Sequence, residues 1–480
     1  IDIPIGDLTI LMVQLYFLII VVIELGKAAV KLSNLKISPA KLLATSFLLL
    51  IAFGTGMLML PEMTTAGIRF IDALFTSTSA VCVTGLTAVE TAAFFTHKGH
   101  WIIMILIQLG GINIVAFGAF FAVFYRDSSS LKYQSLIKDL LDTTEMSKSR
   151  SILRSIIYFS VVIEAVGTLL VYLTWGNSYT FAEGQNKFFY SLFHSISAFN
   201  NAGFSLFPNN FFQEGIRLSW GVHGVIALLV FLGGIGFPVL QDLNHAIKNP
   251  GNWHHFSRHL QPASRIAVRT SLYLIVGGAV MFYFFYPVHS SDVSTGGRIM
   301  QGIFQSVVAR TAGFNSVDIS KFSEVLILVF TFLMFIGASP VSTGGGIKTT
   351  TLAVILKSTL MGLRGYRNIE MLQHTVKYSI IKRAFSVAVM YLIFFITGTA
   401  LLSIFEPNVL LSHLIFEEVS ALSTVGLSMG ITPYLGDVAK TILILSMYIG
   451  RIGSITIILA LIRRAPNVQY TYSHANVLIG

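Results

Sequence analysis

Four short turns, each ending in a glycine, are the part of this sequence that points most clearly to a chemical function. They recur at nearly equal intervals: Val83-Thr84-Gly85, Asn201-Ala202-Gly203, Thr311-Ala312-Gly313 and Thr424-Val425-Gly426. Glycine adopts left-handed and mirror-β backbone conformations without a β-carbon penalty, so such a turn can aim its carbonyl oxygens inward. Backbone carbonyls of this kind replace the hydration shell of a monovalent cation. The turns therefore predict a cation site made of main-chain oxygen.

A short amphipathic segment precedes each of these glycine turns. The four segments resemble one another and cover residues 74–80, 192–198, 303–309 and 415–421. They are too short to cross a bilayer core, which takes roughly 20 residues, so each must enter and leave from the same side. Non-helical backbone at such a depth is tolerated only where it lines protein or a water-filled path. The pattern predicts re-entrant helices that end at the glycine turns.

The composition requires a membrane protein. Of the 480 residues, 54% are hydrophobic and 11% are charged, and the mean hydropathy is +0.75. Soluble domains carry about 25% charged residues, so this chain lacks the polar surface of a soluble fold. Nine apolar segments are candidate spans, near residues 8–25, 42–60, 101–125, 152–175, 218–240, 268–286, 324–338, 381–404 and 438–462.

The net charge of +10 is unevenly distributed. Most lysines and arginines lie in one set of loops, which the positive-inside rule assigns to the cytoplasm, so the basic charge needs no nucleic-acid partner. The smaller, outer set includes Arg69, Lys98, Arg310 and Lys440. Acidic residues on that outer side are expected to raise the local cation concentration: Asp72, Glu90, Glu183, Glu214 and Asp292.

The recurring unit is a helix, a short helix, a glycine turn and a second helix. Four such units in parallel predict an all-α polytopic membrane protein with pseudo-fourfold repeats around one pore, preceded by an extra N-terminal helix. The predicted divisions are an N-terminal helix and linker at 1–41, repeats at 42–126, 127–247, 248–364 and 365–464, and a tail at 465–480.

The second helix of the third repeat is interrupted by residues 337–348, which include Pro340 and three consecutive glycines. Glycine costs about 1 kcal/mol and proline about 3 kcal/mol in a helix interior, so this stretch predicts a flexible plug in the pore rather than a regular helix. The predicted gate residues are Gly337, Ser342, Thr343, Gly344, Gly345, Gly346, Lys348 and Arg451.

Two further charges lie inside predicted spans. Arg451 costs about 3 kcal/mol or more in an apolar helix, so we expect it to face the interior, pair with carbonyls of the 337–348 segment and restrain ion flow. Glu164 is expected to form an interhelical hydrogen bond. The single cysteine, Cys82, cannot form an internal disulfide.

These motifs resemble the Trk/Ktr/HKT superfamily of potassium transporters, most closely its Ktr-type membrane subunits, with a Trk-type chain as the alternative. The matching runs are 75–85, 198–205, 309–318 and 423–427. The resemblance implies that the four glycines form a filter that prefers potassium, and that the 337–348 segment and Arg451 form a gate below it. It also implies a homodimer and a cytosolic ring of nucleotide-binding, RCK-type regulatory subunits.

The expected function is therefore potassium uptake through a multi-pass protein in the plasma (inner) membrane of a bacterial cell, surrounded by lipid. The transported ion is potassium or sodium, and no organic cofactor is expected. Three alternatives remain: a sodium-conducting or sodium-coupled member of the superfamily, a secondary transporter with broken helices, and a membrane enzyme or scaffold. No nucleophile and base are suitably arranged, so we predict that the chain is not an enzyme.

Overall fold

Helices make up nearly all the regular structure of the computed structural model, which describes residues 39–124, 149–176, 179–181, 185–248, 260–286, 294–366 and 368–453. The predicted N-terminal span at 8–25 and the tail at 465–480 lie outside these residues. Among these residues the assigned strands are β1 Glu370–Met371 and β2 His374–Thr375, two residues each, which pair in an antiparallel hairpin. The all-α prediction did not include them.

The helices follow one another in a recurring order along the chain. Long helices open the successive stretches: α1 Pro39–Leu58, α5 Ser149–Thr174, α9 Pro262–Phe285 and α13 Tyr378–Phe405. Each is followed by a shorter helix: α2 Phe70–Val81, α6 Lys187–Phe199, α10 Thr295–Val308 and α14 Leu411–Leu422. Next come α4 His97–Phe124, the pair α7 Trp220–Gly234 and α8 Phe237–Lys248, the pair α11 Glu324–Phe335 and α12 Thr349–Leu363, and α15 Asp437–Ile452. A single turn, α3 Thr91–Phe94, precedes α4.

Several of these helices have the length and composition of membrane spans. Among the described residues, Ser155–Thr174, Pro262–Phe285 and Tyr378–Phe405 are long and apolar enough to cross a bilayer, and the bent pair α7 and α8 is a fourth candidate. Shorter apolar helices include Phe70–Val81 and Glu324–Phe335. The chain is therefore a helical membrane protein.

The predicted span at 218–240 is interrupted, because the chain bends by 104° between α7 and α8. Gly236 lies at the break with φ +91°, and a β-carbon there would collide with the Pro340 carbonyl. The amide of Phe237 donates to the carbonyl of Val341 at 3.0 Å. The 337–348 segment thus occupies the place where a straight helix would continue. The prediction also lacked α12 as a separate helix.

The short helices are enclosed by the helices around them. Each carries a fully buried phenylalanine at the same place in its motif: Phe75, Phe193, Phe304 and Phe416. In a membrane protein such burial stabilises the fold through close packing rather than through removal of apolar surface from water. Each short helix also packs against the helix that closes the preceding stretch: α6 on α4, α10 on α7, α14 on α11, and α2 on α15. The last contact joins the end of the described chain to its beginning.

A buried ion pair lies at this junction between α2 and α15. Lys440 Nζ is 2.8 Å from Asp72 Oδ1, and the two side chains are 3% and 8% exposed. The Nε of Arg69 approaches the other carboxylate oxygen of Asp72 at 2.8 Å. The predicted role of Asp72 in attracting cations is therefore wrong, because two cations already neutralise it. Lys440, assigned to an outer loop by the sequence, is buried.

Removing one partner of this pair leaves an uncompensated charge inside the protein. We expect Asp72→Ala to destabilise the chain by about 3–5 kcal/mol. Arg69→Ala is the control, because the Arg69 side chain is 61% exposed and exposed pairs contribute about 0–1 kcal/mol. Thermal unfolding of the purified protein in detergent measures both. Equal shifts in the two variants would contradict a special role for the buried pair.

Candidate ion site

The four glycine turns share an unusual backbone conformation. Each turn begins with a non-glycine residue at positive φ: Val83 at 56°, Asn201 at 59°, Thr311 at 106° and Thr424 at 50°. Each ends with its glycine, also at positive φ, between 69° and 94°. Side chains other than glycine pay about 1–2 kcal/mol in such conformations. The turns immediately follow the ends of the short helices, so local chain geometry and surrounding packing both fix them.

The four turns contact one another in a closed cycle. A β-carbon on Gly85 would collide with the carbonyl oxygen of Ala202, one on Gly203 with that of Ala312, one on Gly313 with that of Val425, and one on Gly426 with that of Thr84. Each glycine thus touches the carbonyl that precedes the next glycine. Only glycine fits at these positions, because the neighbouring backbone occupies the space of a side chain. The structure brings all the predicted turn residues together.

Polar groups of the short helices hold the turns. Ser79 Oγ accepts from Gly85 N, and Ser420 Oγ accepts from Gly426 N, both at 3.0 Å. In the third stretch the glycine lies nine positions after the motif phenylalanine, Phe304, rather than ten, and Gly313 N instead donates to the carbonyl of Val308 at 3.3 Å. This difference accompanies the larger φ of Thr311. The third turn is therefore built differently from the other three.

The second and third turns are also joined by side chains. The amide of Asn201 lies 3.0 Å from the hydroxyl of Thr311. With its oxygen accepting from that hydroxyl, the amide nitrogen of Asn201 donates to the carbonyls of Ala198 and Val230, each at 3.1 Å. This orientation satisfies both ends of the amide.

Three of the short helices carry a polar side chain at the same position, directly after the buried phenylalanine. Each of these side chains supports the backbone that follows its glycine turn. His194 Nε2 lies 3.1 Å from Ser205 Oγ, and Gln305 Nε2 donates to Ser316 Oγ at 3.1 Å. Glu417 accepts from the amide of Met429 at 3.0 Å and from nearby hydroxyls. None of these three residues was predicted as functional, although their common place in the repeated motif is a signal that could have identified them.

Glu164 lies behind the second turn and forms the interhelical hydrogen bonds that were predicted. Its carboxylate accepts from Gln108 Nε2 of α4 at 3.0 Å and from Asn200 Nδ2 at 3.1 Å. Asn200 caps the C-terminus of α6 and directly precedes the turn residue Asn201. The buried carboxylate therefore joins α4, α5 and the base of the second turn.

The 337–348 segment lies against the third and fourth turns. A β-carbon on Gly344 would collide with the hydroxyl of Thr311, and one on Gly345 with that of Thr424. On its other side the segment bonds to the end of α7, since Ser339 N donates to the carbonyl of Gly234 at 2.9 Å. Within the segment, Ser342 Oγ donates to the carbonyl of Ser339 at 2.6 Å.

Three cationic side chains bind carbonyl oxygens of this segment. Arg451 donates to the carbonyl of Thr343, and its Nη2 donates to the carbonyl of Gly110 at 2.7 Å. Lys348 Nζ donates to the carbonyl of Gly344 at 2.6 Å. Arg310 Nη2 donates to the carbonyl of Gly337 at 3.3 Å. The ion pairs found among the described residues involve none of these three cations.

The predicted contact of Arg451 with the 337–348 segment is thus observed, whereas the outer-loop position predicted for Arg310 is wrong. Arg310 is 7% exposed and follows the end of α10. Counting basic residues between apolar segments cannot distinguish a loop from the buried end of a re-entrant helix. The remaining predicted gate residue, Gly346, has φ +69° and packs against Gly337.

The fold and the apolar spans define a helical membrane protein, and comparison with known proteins identifies its family. The family model TrkH, described as a cation transport protein, matches residues 12–471. The chain therefore belongs to the TrkH family of cation transport proteins, and the resemblance stated from its motifs is confirmed.

Curated relatives match most of the chain. The Ktr system potassium uptake protein B of Vibrio alginolyticus is 34% identical, covering 92% of this chain and 94% of that protein. The protein of the same name from Bacillus subtilis (strain 168) is 36% identical, with coverages of 91% and 96%. The potassium/sodium uptake protein NtpJ of Enterococcus hirae is 32% identical, with coverages of 93% and 98%.

A solved structure shares the fold. The crystal structure of the potassium transporter TrkH from Vibrio parahaemolyticus matches with a TM-score of 0.71 at 17% identity, covering 88% of this chain and 84% of that one.

Proposed function

We propose that this chain is the potassium-translocating pore subunit of a Trk/Ktr-type uptake system, with the four glycine turns as one selectivity filter in a pseudo-fourfold arrangement. The observation that supports this most strongly is the closed cycle in which each glycine touches a carbonyl of the next turn. Main-chain oxygens so arranged replace the water of a dehydrated cation. The four short helices end at the turns, and their C-termini carry partial negative charge that favours a cation.

The names of the relatives support potassium as the transported ion. A sodium-conducting or sodium-coupled protein is the second candidate, because NtpJ is named for both ions. The broken pairs α7 and α8, and α11 and α12, would suit a secondary transporter. They occupy the same place in two successive stretches, however, rather than corresponding places in two inverted halves.

The 337–348 segment is proposed to be the gate below this filter. It fills the space next to Thr311 and Thr424, and a backbone with three consecutive glycines can move without large side-chain rearrangement. Arg451 is proposed to hold the segment in place and to oppose passing cations through its charge. Its guanidinium bridges the carbonyls of Thr343 and Gly110, which lie on different elements.

The chain is proposed to act with partners in the plasma membrane of a bacterial cell. The names of the relatives speak of a Ktr system, which supports a second component. We assign to it a cytosolic ring of nucleotide-binding, RCK-type subunits that moves the gate, and we propose that two copies of the chain pair as a homodimer.

Gly426→Ala in a strain that lacks potassium uptake tests the filter directly. We expect growth rescue and initial uptake in limiting potassium to fall by about tenfold or more, because the added methyl group collides with the Thr84 carbonyl and disturbs carbonyl coordination. Gly430→Ala is a matched control, since Gly430 also has positive φ, at 83°, but has open space around it. Equal losses in the two variants would mean that backbone strain, not the filter, is responsible.

Rescue of sodium uptake but not potassium uptake by the unmodified chain would favour the second candidate, a sodium-conducting or sodium-coupled protein.

Arg451→Gln tests the gate. Removing the charge is expected to raise the maximum rate of potassium uptake severalfold, because the restraint on the 337–348 segment and the electrostatic barrier are both weakened. Uptake rates normalised to the amount of protein in the membrane give the measurement. Arg364→Gln is the control, because Arg364 is exposed and directly follows α12. It should leave the uptake rate unchanged. An unchanged rate in Arg451→Gln would exclude the proposed restraint.

A further inference from the structure

Arg310 is a buried cation that the proposed filter and gate do not yet account for. Its Nη1 donates to the carbonyl of Ser271 at 3.2 Å, and its Nη2 lies 3.1 Å from Ser271 Oγ and 3.3 Å from the carbonyl of Gly337. The guanidinium thus touches α9 and the first residue of the 337–348 segment. All its acceptors are uncharged oxygens. Burying a charge against such partners is expensive, so a structural need other than ion pairing must retain it.

The position of Arg310 in the chain connects it to the third glycine turn. Thr311, the next residue, begins that turn at φ +106° and also lies against Gly344. The backbone of Arg310 is therefore part of the turn, while its side chain reaches the place where the 337–348 segment begins. A movement of Gly337 would therefore displace the side chain of Arg310 and, with it, the backbone at the start of the third glycine turn.

Comparison with the other three stretches shows what Arg310 replaces. A glycine of α4, of α7 and of α15 packs directly against the last carbonyl of a short helix: Gly110 on Val81, Gly233 on Phe199 and Gly450 on Leu422. In the third stretch the corresponding Gly337 packs instead on Gly345, a residue of the 337–348 segment. The segment has taken the place of the direct backbone contact. The guanidinium of Arg310 connects Gly337 to Ser271 of α9 at this place.

The packing around the Arg310 side chain leaves a small void. A small cavity beside it is lined by Val230, Gly234, Ser271, Ile275 and Val307. Its Nε is buried and makes no hydrogen bond within the described part of the chain.

We propose that Arg310 is a positioning residue that fixes the 337–348 segment relative to the third glycine turn, so that loosening it moves the gate and weakens the discrimination of potassium from sodium. This inference rests on the proposed function. It differs from the role of Arg451, which binds the middle of the segment from α15 of the following repeat.

The test uses the full chain in cells that lack potassium uptake and reads two quantities. The first is the rate at which a membrane-permeant thiol reagent modifies Ser342→Cys, which reports the position of the segment. The native Cys82 is fully buried, and the chain without Ser342→Cys gives the background rate. The second is the ratio of half-saturation concentrations for sodium and potassium.

Arg310→Gln is expected to raise the modification rate and lower the sodium-to-potassium ratio, each by about fivefold, because a loss of roughly 1 kcal/mol of hydrogen bonding corresponds to that factor. In Arg310→Lys the modification rate and the sodium-to-potassium ratio should return part of the way to their unmodified values, since an ammonium reaches one acceptor but lacks the planar fork that serves two. Ser271→Ala should change the modification rate and the ratio in the same direction as Arg310→Gln, by a smaller factor.

Arg298→Gln is the matched control. Arg298 also belongs to α10 and its guanidinium donates to a carbonyl of α9, that of Tyr283 at 3.1 Å. It lies at the other end of the helix from the glycine turn, so both readouts should stay at their unmodified values. Equal effects of Arg298→Gln and Arg310→Gln would overturn the proposal, because they would reflect only weaker packing between the two helices.

Unchanged readouts in a folded Arg310→Gln would also overturn it. If that variant fails to reach the membrane, unchanged readouts in both Arg310→Lys and Ser271→Ala overturn it instead. A chain that carries no potassium at all would defeat the proposed function, whereas the modification rates would still decide whether Arg310 fixes the segment.

Discussion

The packing of four backbone turns against one another constrains the rest of this molecule. Each glycine lies so close to a carbonyl of the next turn that no β-carbon fits, and the residues that open the turns hold positive φ angles that most side chains avoid. Such strain persists only where the surroundings impose it. The short helices, their buried phenylalanines and the serine contacts to the turns supply that support. The contact of α2 with α15 is needed for the same reason, because the last turn must meet the first.

The irregular backbone below the turns is held by cations rather than by a regular hydrogen-bond ladder. Arg451, Lys348 and Arg310 each donate to main-chain oxygens of the 337–348 segment. Their acceptors are main-chain dipoles rather than carboxylates, so the segment is attached through hydrogen bonds and not through ion pairs. The broken helices α7 and α8 follow from the same arrangement, since the segment occupies the path of a straight helix.

The parts of this fold that sequence predicts are those with a local signal. Glycines such as Gly85 and Gly426 repeat within similar motifs, and Pro340 with three nearby glycines identifies an interrupted helix. Arg451 is conspicuous because a charge in an apolar helix is costly and needs internal partners. These local signals located the turns, the short helices, the 337–348 segment and the contact between that segment and Arg451.

The parts that sequence did not predict depend on contacts between distant elements. Arg310 and Lys440 look like loop residues, because a re-entrant helix and an outer loop contribute the same kind of sequence between two apolar stretches. Asp72 looks like a solvent-facing carboxylate until the fold brings Lys440 next to it. The size of the bend after Gly234 could not be predicted, because the neighbouring carbonyl of Pro340 is supplied by another helix pair.

The position of a bound ion would show whether the four glycine turns together form a cation site. Crystals or frozen particles of the protein prepared in rubidium or thallium salts would locate a heavy potassium substitute by its scattering. We predict density at the centre of the cycle of turns, within coordination distance of main-chain oxygens from all four. Density held by side chains elsewhere, with nothing bound between the turns, would contradict the claim.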